Sequence, residues 1–207
     1  MSEPIRFHFD PLCPWCYQTS RWIWQLVDQD VVTADWGVFS LELVNAGSDE
    51  SLKKGHSKAG KALRTVIKVR ETAGAEGVGT FYAALGRRHH EEGEAIDEDR
   101  TIVAALEEVG LDGELLAQAV ADDGAWAQVE AEHTALVEST RSFGVPTIVL
   151  DGGEGPAIFG PVISRLPSEE DAAELWKHVS WLARYENFSE LKRDRTEGPD
   201  LAAWKDR

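Results

Sequence analysis

Cysteine is scarce in this chain: 207 residues hold two, with a single methionine. So few thiols exclude a disulfide framework spread over the fold, and a chain of this length can build its core without one. Cations are also short, 21 Lys and Arg standing against 37 Asp and Glu for a formal net charge of −16. That shortage counts against nucleic acid as a partner, because phosphate binding needs a basic face, and it disfavours an anionic membrane surface. No stretch approaches the roughly 18 consecutive apolar residues of a membrane helix. The opening Met1-Ser2-Glu3-Pro4-Ile5-Arg6-Phe7 shows no basic leader followed by an apolar run. A cytoplasmic address is therefore expected, a compartment that keeps thiols reduced. What is present, 43% hydrophobic and 28% charged residues, is the composition of one globular domain, or of a compact domain with a large insertion.

The two cysteines stand together as Cys13-Pro14-Trp15-Cys16. Ile5 to Phe9 alternates apolar and polar residues and stops at Asp10-Pro11, which reads as a strand ended by a turn. A helix then starts at the motif, with Pro14 suited to its first position and Trp22, Ile23, Leu26 and Val27 at helical spacing. At such a start, unpaired N–H groups and the helix dipole stabilise a thiolate. Cys13 is the residue placed to be exposed and deprotonated. Cys16, one turn on, is placed to attack a mixed disulfide formed on Cys13. A zinc site lacks a second cysteine pair, and none of His8, His56, His89, His90, His133 and His178 shows ligand spacing. Inert buried cysteines are the plainer alternative, and the strand-to-helix position favours a redox-active dithiol over it. Neither a metal nor a nucleotide cofactor is expected.

Val31 to Leu43 reads as a second strand, bulged near Gly37, completing a βαβ unit. From about Ser51 to Arg141 strand signals vanish. Ala59, Ala62, Leu63, Val66 and Ile67 make one amphipathic stripe, and Val78, Phe81, Tyr82 and Leu85 another. Asp97-Glu98-Asp99 opens a helix closed by Gly110. Two more are expected over 112–121 and 125–142, the second ending at Gly144. Strand character returns over Val145 to Leu150, and Ala157-Ile158-Phe159 follows the Asp151-Gly152-Gly153 turn as hairpin partner. Ser168 with Asp171 forms a capping box for a last helix with Ala172, Leu175, Trp176, Val179 and Leu182 inside. After Tyr185 the charged tail is expected to wrap the surface. The order is βαβ, helical insertion, ββα. We assign 1–48 and 143–207 to one domain and 49–142 to an insertion subdomain.

Phe9-Asp10-Pro11-Leu12-Cys13-Pro14-Trp15-Cys16-Tyr17, the helical insertion and Gly144-Val145-Pro146-Thr147 resemble the DsbA-like branch of the thioredoxin superfamily. More narrowly, the chain resembles that branch's mycothiol-dependent nitroreductase group. The closer match lies in 10–23, in Phe159-Gly160-Pro161-Val162, and in Glu190-Leu191-Lys192-Arg193 through Thr196-Glu197. The resemblance implies an α/β thioredoxin-like fold with a mixed central sheet. It also implies a cis Pro146 facing the dithiol, with Val145 offering its backbone to substrate. Mycothiol, a low-molecular-weight thiol, is the implied co-substrate, and the implied substrates are nitro-bearing or electrophilic small molecules, or disulfides. On this reading Cys13 attacks or donates, and Cys16 resolves the mixed disulfide or stays in reserve.

Around the pair, Pro14 holds the turn and Trp15 is a candidate to stack on an aromatic substrate, with packing as its alternative. Asn45, just past the second strand where open sheets bind ligands, is a candidate polar contact. Asp10 is read as a turn residue before a proton-transfer group. His89-His90 with Glu91 and Glu92 reads as a solvated helix end, and the acids from Glu91 to Asp99 as a solvated face. Three rivals remain: a kappa-type glutathione transferase or chromene-carboxylate isomerase, a periplasmic-style disulfide oxidase, and a non-enzymatic redox-sensing interaction protein. The first usually has Ser at the nucleophile position and no resolving cysteine; the second is weakened by the missing signal.

Overall fold

The computed structural model describes residues 2–201, with backbone alone at 52 and 53. Met1 and the last six residues of the expected 143–207 segment lie outside the described residues. The chain builds β1 (Glu3–Phe9), α1 (Pro14–Asp28) and β2 (Val32–Val38), then helices, then a β3 (Thr147–Val149) and β4 (Ala157–Phe159) hairpin and a last helix. The sheet runs β2-β1-β3-β4. β2 is parallel to β1, whereas β3 is antiparallel to β1 and β4 to β3. This is the α/β thioredoxin-like, DsbA-like fold, with a mixed four-stranded sheet and a helical insertion. Among the described residues, no helix is long and apolar enough to cross a membrane.

The intervening helices are α2 (Leu41–Val44), α3 (Glu50–His56), α4 (Gly60–Gly86), α5 (Asp99–Glu108), α6 (Glu114–Ala121) and α7 (Asp123–Thr140), with α8 (Glu169–Arg184) closing the fold. Apart from Ala59, in the short turn just before it, the two amphipathic stripes of the middle region lie on the one long run α4, kinked at Gly74, whose φ of 66° suits glycine. A π-helical turn over Arg87–Glu91 follows it directly. Half of the capping box is seen, with Asp171 N–H donating to Ser168 Oγ at 3.1 Å. Aromatic packing joins the layers: Phe9 stacks on Tyr82 at 3.8 Å between ring centroids, and Trp22 lies 6.0 Å from Trp176 of α8. Fully burying side chains of this size stabilises by about 1.5–3 kcal/mol each.

Three local expectations are corrected. The second strand ends at Val38, not Leu43. Ser40 accepts from Leu43 N–H (3.3 Å) and the Asp10 carboxylate from Leu41 N–H (2.7 Å), so side-chain capping turns the chain into α2. Gly37 is not bulged, because β2 pairs with β1 without a break from Glu3↔Val32 to Phe9↔Val38. Its lack of a side chain makes room for the His8 ring, which a Cβ there would meet at 2.5 Å. Helix α7 stops at Thr140 on Arg141 in the left-handed conformation (φ 59°), ahead of Gly144.

Candidate active site

Cys13 is the N-cap of α1 and Pro14 its first residue. Pro14 has no N–H to leave unpaired at that position. The N–H of Cys16 donates to Cys13 Sγ at 3.3 Å, so the helix end solvates the sulfur that is to carry charge. Both cysteines are free thiols; Cys13 exposes 7% of its surface and Cys16 none. Cys13 is thus less open than its helix-end position suggests. The two thiols are driven apart. A hydrogen bond from the Cys16 side chain, with N–H groups of the first turn, holds the Cys13 thiol below its ordinary pKa against the opposing burial. Burial, then the hydrogen bond and charge of Cys13, push the Cys16 thiol well up. Cys13 is thus the more readily ionised of the two sulfurs, and Cys16 is the protonated reserve.

Opposite them, the Val145–Pro146 peptide is cis. The Val145 carbonyl lies 3.8 Å from Cys13 Sγ, and the Pro146 carbonyl accepts from Gly160 N–H at 2.8 Å. The structure therefore brings Cys13, Cys16, Val145 and Pro146 together, with Trp15 half-buried at the rim. Asn45 is not part of that contact set; it caps the end of α2 and donates to the Leu41 carbonyl at 2.8 Å. His56 is half-buried at the end of α3.

Asp10 does more than turn the chain. Its carboxylate accepts from Leu12 N–H (2.8 Å) as well as Leu41 N–H, and its side chain is wholly buried. Burial raises its pKa to about 7 against those two bonds, and its charge in turn raises both thiols. The buried acid and the turn are one residue.

The supposed solvated helix end is also a correction. The Glu91 side chain has no exposed surface, and Tyr17 O–H donates to it at 2.6 Å. Arg21, itself buried, lies 3.7 Å from the same carboxylate. His90 stacks on Tyr17 at 5.1 Å and donates from Nε2 to the Pro11 carbonyl at 2.9 Å, just before the motif. Burial, then the neighbouring His89, lowers His90 to about 3, so it is neutral. Gly86 permits this approach, since a Cβ there would meet the Tyr17 ring at 2.3 Å. No sequence signal marks these residues, because a buried acid and an exposed one look alike in an acidic run. Phe143, 71% exposed and 4.7 Å from Phe159, likewise escaped notice beside Val145.

The chain is similar to known proteins over most of its length. The family model described as "Rv2466c-like: Mycothiol-dependent nitroreductase Rv2466c" matches residues 12–193. The uncharacterized protein Rv2286c of Mycobacterium tuberculosis is 33% identical over 194 residues, covering 93% of this chain and 82% of that protein. Among solved structures, a 2-hydroxychromene-2-carboxylate isomerase superposes with a TM-score of 0.63 at 16% identity, over 87% of this chain and 96% of its own. The cytosolic disulfide reductase DsbM from Pseudomonas aeruginosa with GSH gives 0.60 at 16% identity, over 86% and 99%. At that identity the solved structures speak for the fold alone.

Proposed function

The chain belongs to the Rv2466c-like family of mycothiol-dependent nitroreductases, and from that premise we propose that it reduces nitro-bearing or electrophilic small molecules, or disulfides, with mycothiol in the cytoplasm. The observation that carries this is the asymmetric dithiol: Cys13 Sγ capped by Cys16 N–H at 3.3 Å, with a protonated Cys16 beneath it. A nitro group takes two electrons from the pair and two protons, one from the Cys16 thiol and one from solvent, giving a nitroso compound, water and the Cys13–Cys16 disulfide. One mycothiol thiolate then attacks Cys13, forming a mixed disulfide and releasing Cys16. A second mycothiol frees Cys13 as mycothiol disulfide leaves, while Cys16 stays in reserve; its attack on the adduct would only return the Cys13–Cys16 disulfide and mycothiol.

In this reading Trp15 stacks on the substrate ring, Val145 offers its backbone carbonyl, and Pro146 and Pro14 hold the two sides of the site. Asn45 contributes its amide from the end of α2, one N–H of which is spent on Leu41. The chromene-carboxylate isomerase and kappa-type transferase alternative shares the fold, but a second thiol beside Cys13 has no part in that chemistry. Steady-state reduction of a nitroarene with mycothiol tests the proposal. Cys13→Ser is expected to abolish turnover. Turnover unaffected by Cys13→Ser, or supported by glutathione and not by mycothiol, contradicts it.

A further inference from the structure

After α8 the chain passes through a turn at 186–187 and continues, as a strap without helix or strand, to 201 against the loop that follows β4. Three bonds fasten it there. Asp200 N–H donates to the Ser164 carbonyl at 2.6 Å, Ser164 Oγ donates to the Glu197 carbonyl at 3.3 Å, and Arg165 pairs with Glu197 at 3.2 Å. The same Ser164 carbonyl accepts from Gln18 Nε2 of α1 at 3.3 Å, so the strap is tied to the dithiol helix itself. Two residues before Glu197, Arg195 lies over Trp15 with its guanidinium carbon 5.4 Å from the ring centroid. That is within reach of a cation–π contact.

We propose that Arg195 and Trp15 together form a subsite for an aromatic substrate bearing a planar two-oxygen group, nitro or carboxylate, and that Arg195 sets this preference. The inference deepens the function proposed above and rests on it for the reaction, but the binding stands without it. A guanidinium resting on an indole keeps its N–H fork in its own plane, where it donates two parallel bonds to a planar pair of oxygens. The charge distribution points the same way. In a chain of net −16, Lys192, Arg193 and Arg195 crowd four consecutive positions with Asp194 the only acid among them. Of these three cations, Arg195 is the one that stands over the motif, through Trp15. A neutral ring gains stacking on Trp15; a ring with two partly negative oxygens gains the fork as well. Where a nitro group is being reduced, negative charge grows on those oxygens, and the same fork faces it.

Ligand-observed NMR on the full chain with both thiols reduced tests this, using nitrobenzene, benzoate and benzyl alcohol, the last a neutral ring of similar size. At least one two-oxygen probe is expected to bind more tightly than benzyl alcohol. Arg195→Ala is expected to weaken that probe about tenfold and benzyl alcohol by less than about twofold. Arg195→Lys, which keeps the charge but loses the fork, falls between. A melting curve matching the parent shows that each variant is folded. Loss of nitrobenzene affinity supports the subsite and the nitroreductase reading together. Loss of benzoate affinity alone supports the subsite while turning the reaction toward acidic aromatics. Equal binding of all three probes by the parent, or an Arg195→Ala change that leaves all three unchanged or tightens them equally, overturns the subsite.

Discussion

Each cysteine does a different job because its surroundings differ within one helical turn. Cys13 gains a thiol donor and a backbone N–H from Cys16 and a further backbone N–H from Trp15; Cys16 gains burial and a neighbouring charge. Replacing Cys16 with Ala keeps the backbone N–H but removes the side-chain donor, so the Cys13 pKa is expected to rise toward the ordinary thiol value. Thiolate absorbance across a pH titration reads this directly, and an unchanged or lower Cys13 pKa contradicts it. At this scale the motif's placement was legible from sequence: a Cys-Pro-Trp-Cys that follows a strand and an Asp-Pro turn marks a helix start, and Cys13 is the N-cap with Pro14 first in the helix. Asp10 was half legible. An Asp-Pro pair signals a turn, but whether the carboxylate also faces the core depends on β2 turning into α2 above it, which is a tertiary fact.

Elements were read well where apolar periodicity was strong and poorly where polar residues were buried. Helix α1 shows an apolar stripe, yet Gln18, Thr19, Ser20, Arg21 and Gln25 are buried too. The loop after β4 covers that polar side. Thr19 Oγ1 donates to the Pro161 carbonyl at 2.9 Å, Gln25 Nε2 to Pro167 at 3.2 Å, and Gln29 Nε2 to Glu169 at 2.9 Å. A polar face satisfied by a distant loop cannot be told from one satisfied by water when only periodicity is read. The π-helical turn after α4 is a second case, joining the helical stretch to the dithiol helix through Tyr17 and Glu91. Tyr17→Phe leaves that buried carboxylate without its 2.6 Å donor. It is expected to cost about 1.5–3 kcal/mol, lowering the melting temperature by several degrees. A melt within about one degree of the parent would show that this contact does not hold the two parts together.

For the whole molecule, the buried titratable groups set how stability follows pH. Burial lowers His8 to about 4 and His90 to about 3, so between pH 4 and 6.5 the unfolded chain binds these protons and the native one does not. Stability from both is therefore lost as pH falls through that window. Asp10, raised to about 7, acts oppositely: between about 4 and 7 its proton sits on the native form, so its contribution declines as pH rises. Two histidines against one carboxyl leave a net gain of about 1.4 kcal/mol per pH unit upward across pH 4.5 to 6, steepened further by His133, which burial also lowers. Asp10→Asn removes the opposing group, and its slope is expected to be steeper by about 1.4 kcal/mol per unit. Denaturant unfolding at several pH values checks the sign, and a slope that flattens in Asp10→Asn contradicts it. The measurement closest to the central claim is intact-mass analysis of Cys16→Ala after exposure to mycothiol disulfide. Its Cys13 thiolate is expected to displace one mycothiol and retain the other, giving a single adduct that maps to Cys13 and is absent from Cys13→Ala. An adduct formed equally well on Cys16 in Cys13→Ala, or no mycothiol adduct where glutathione disulfide gives one, would contradict the account.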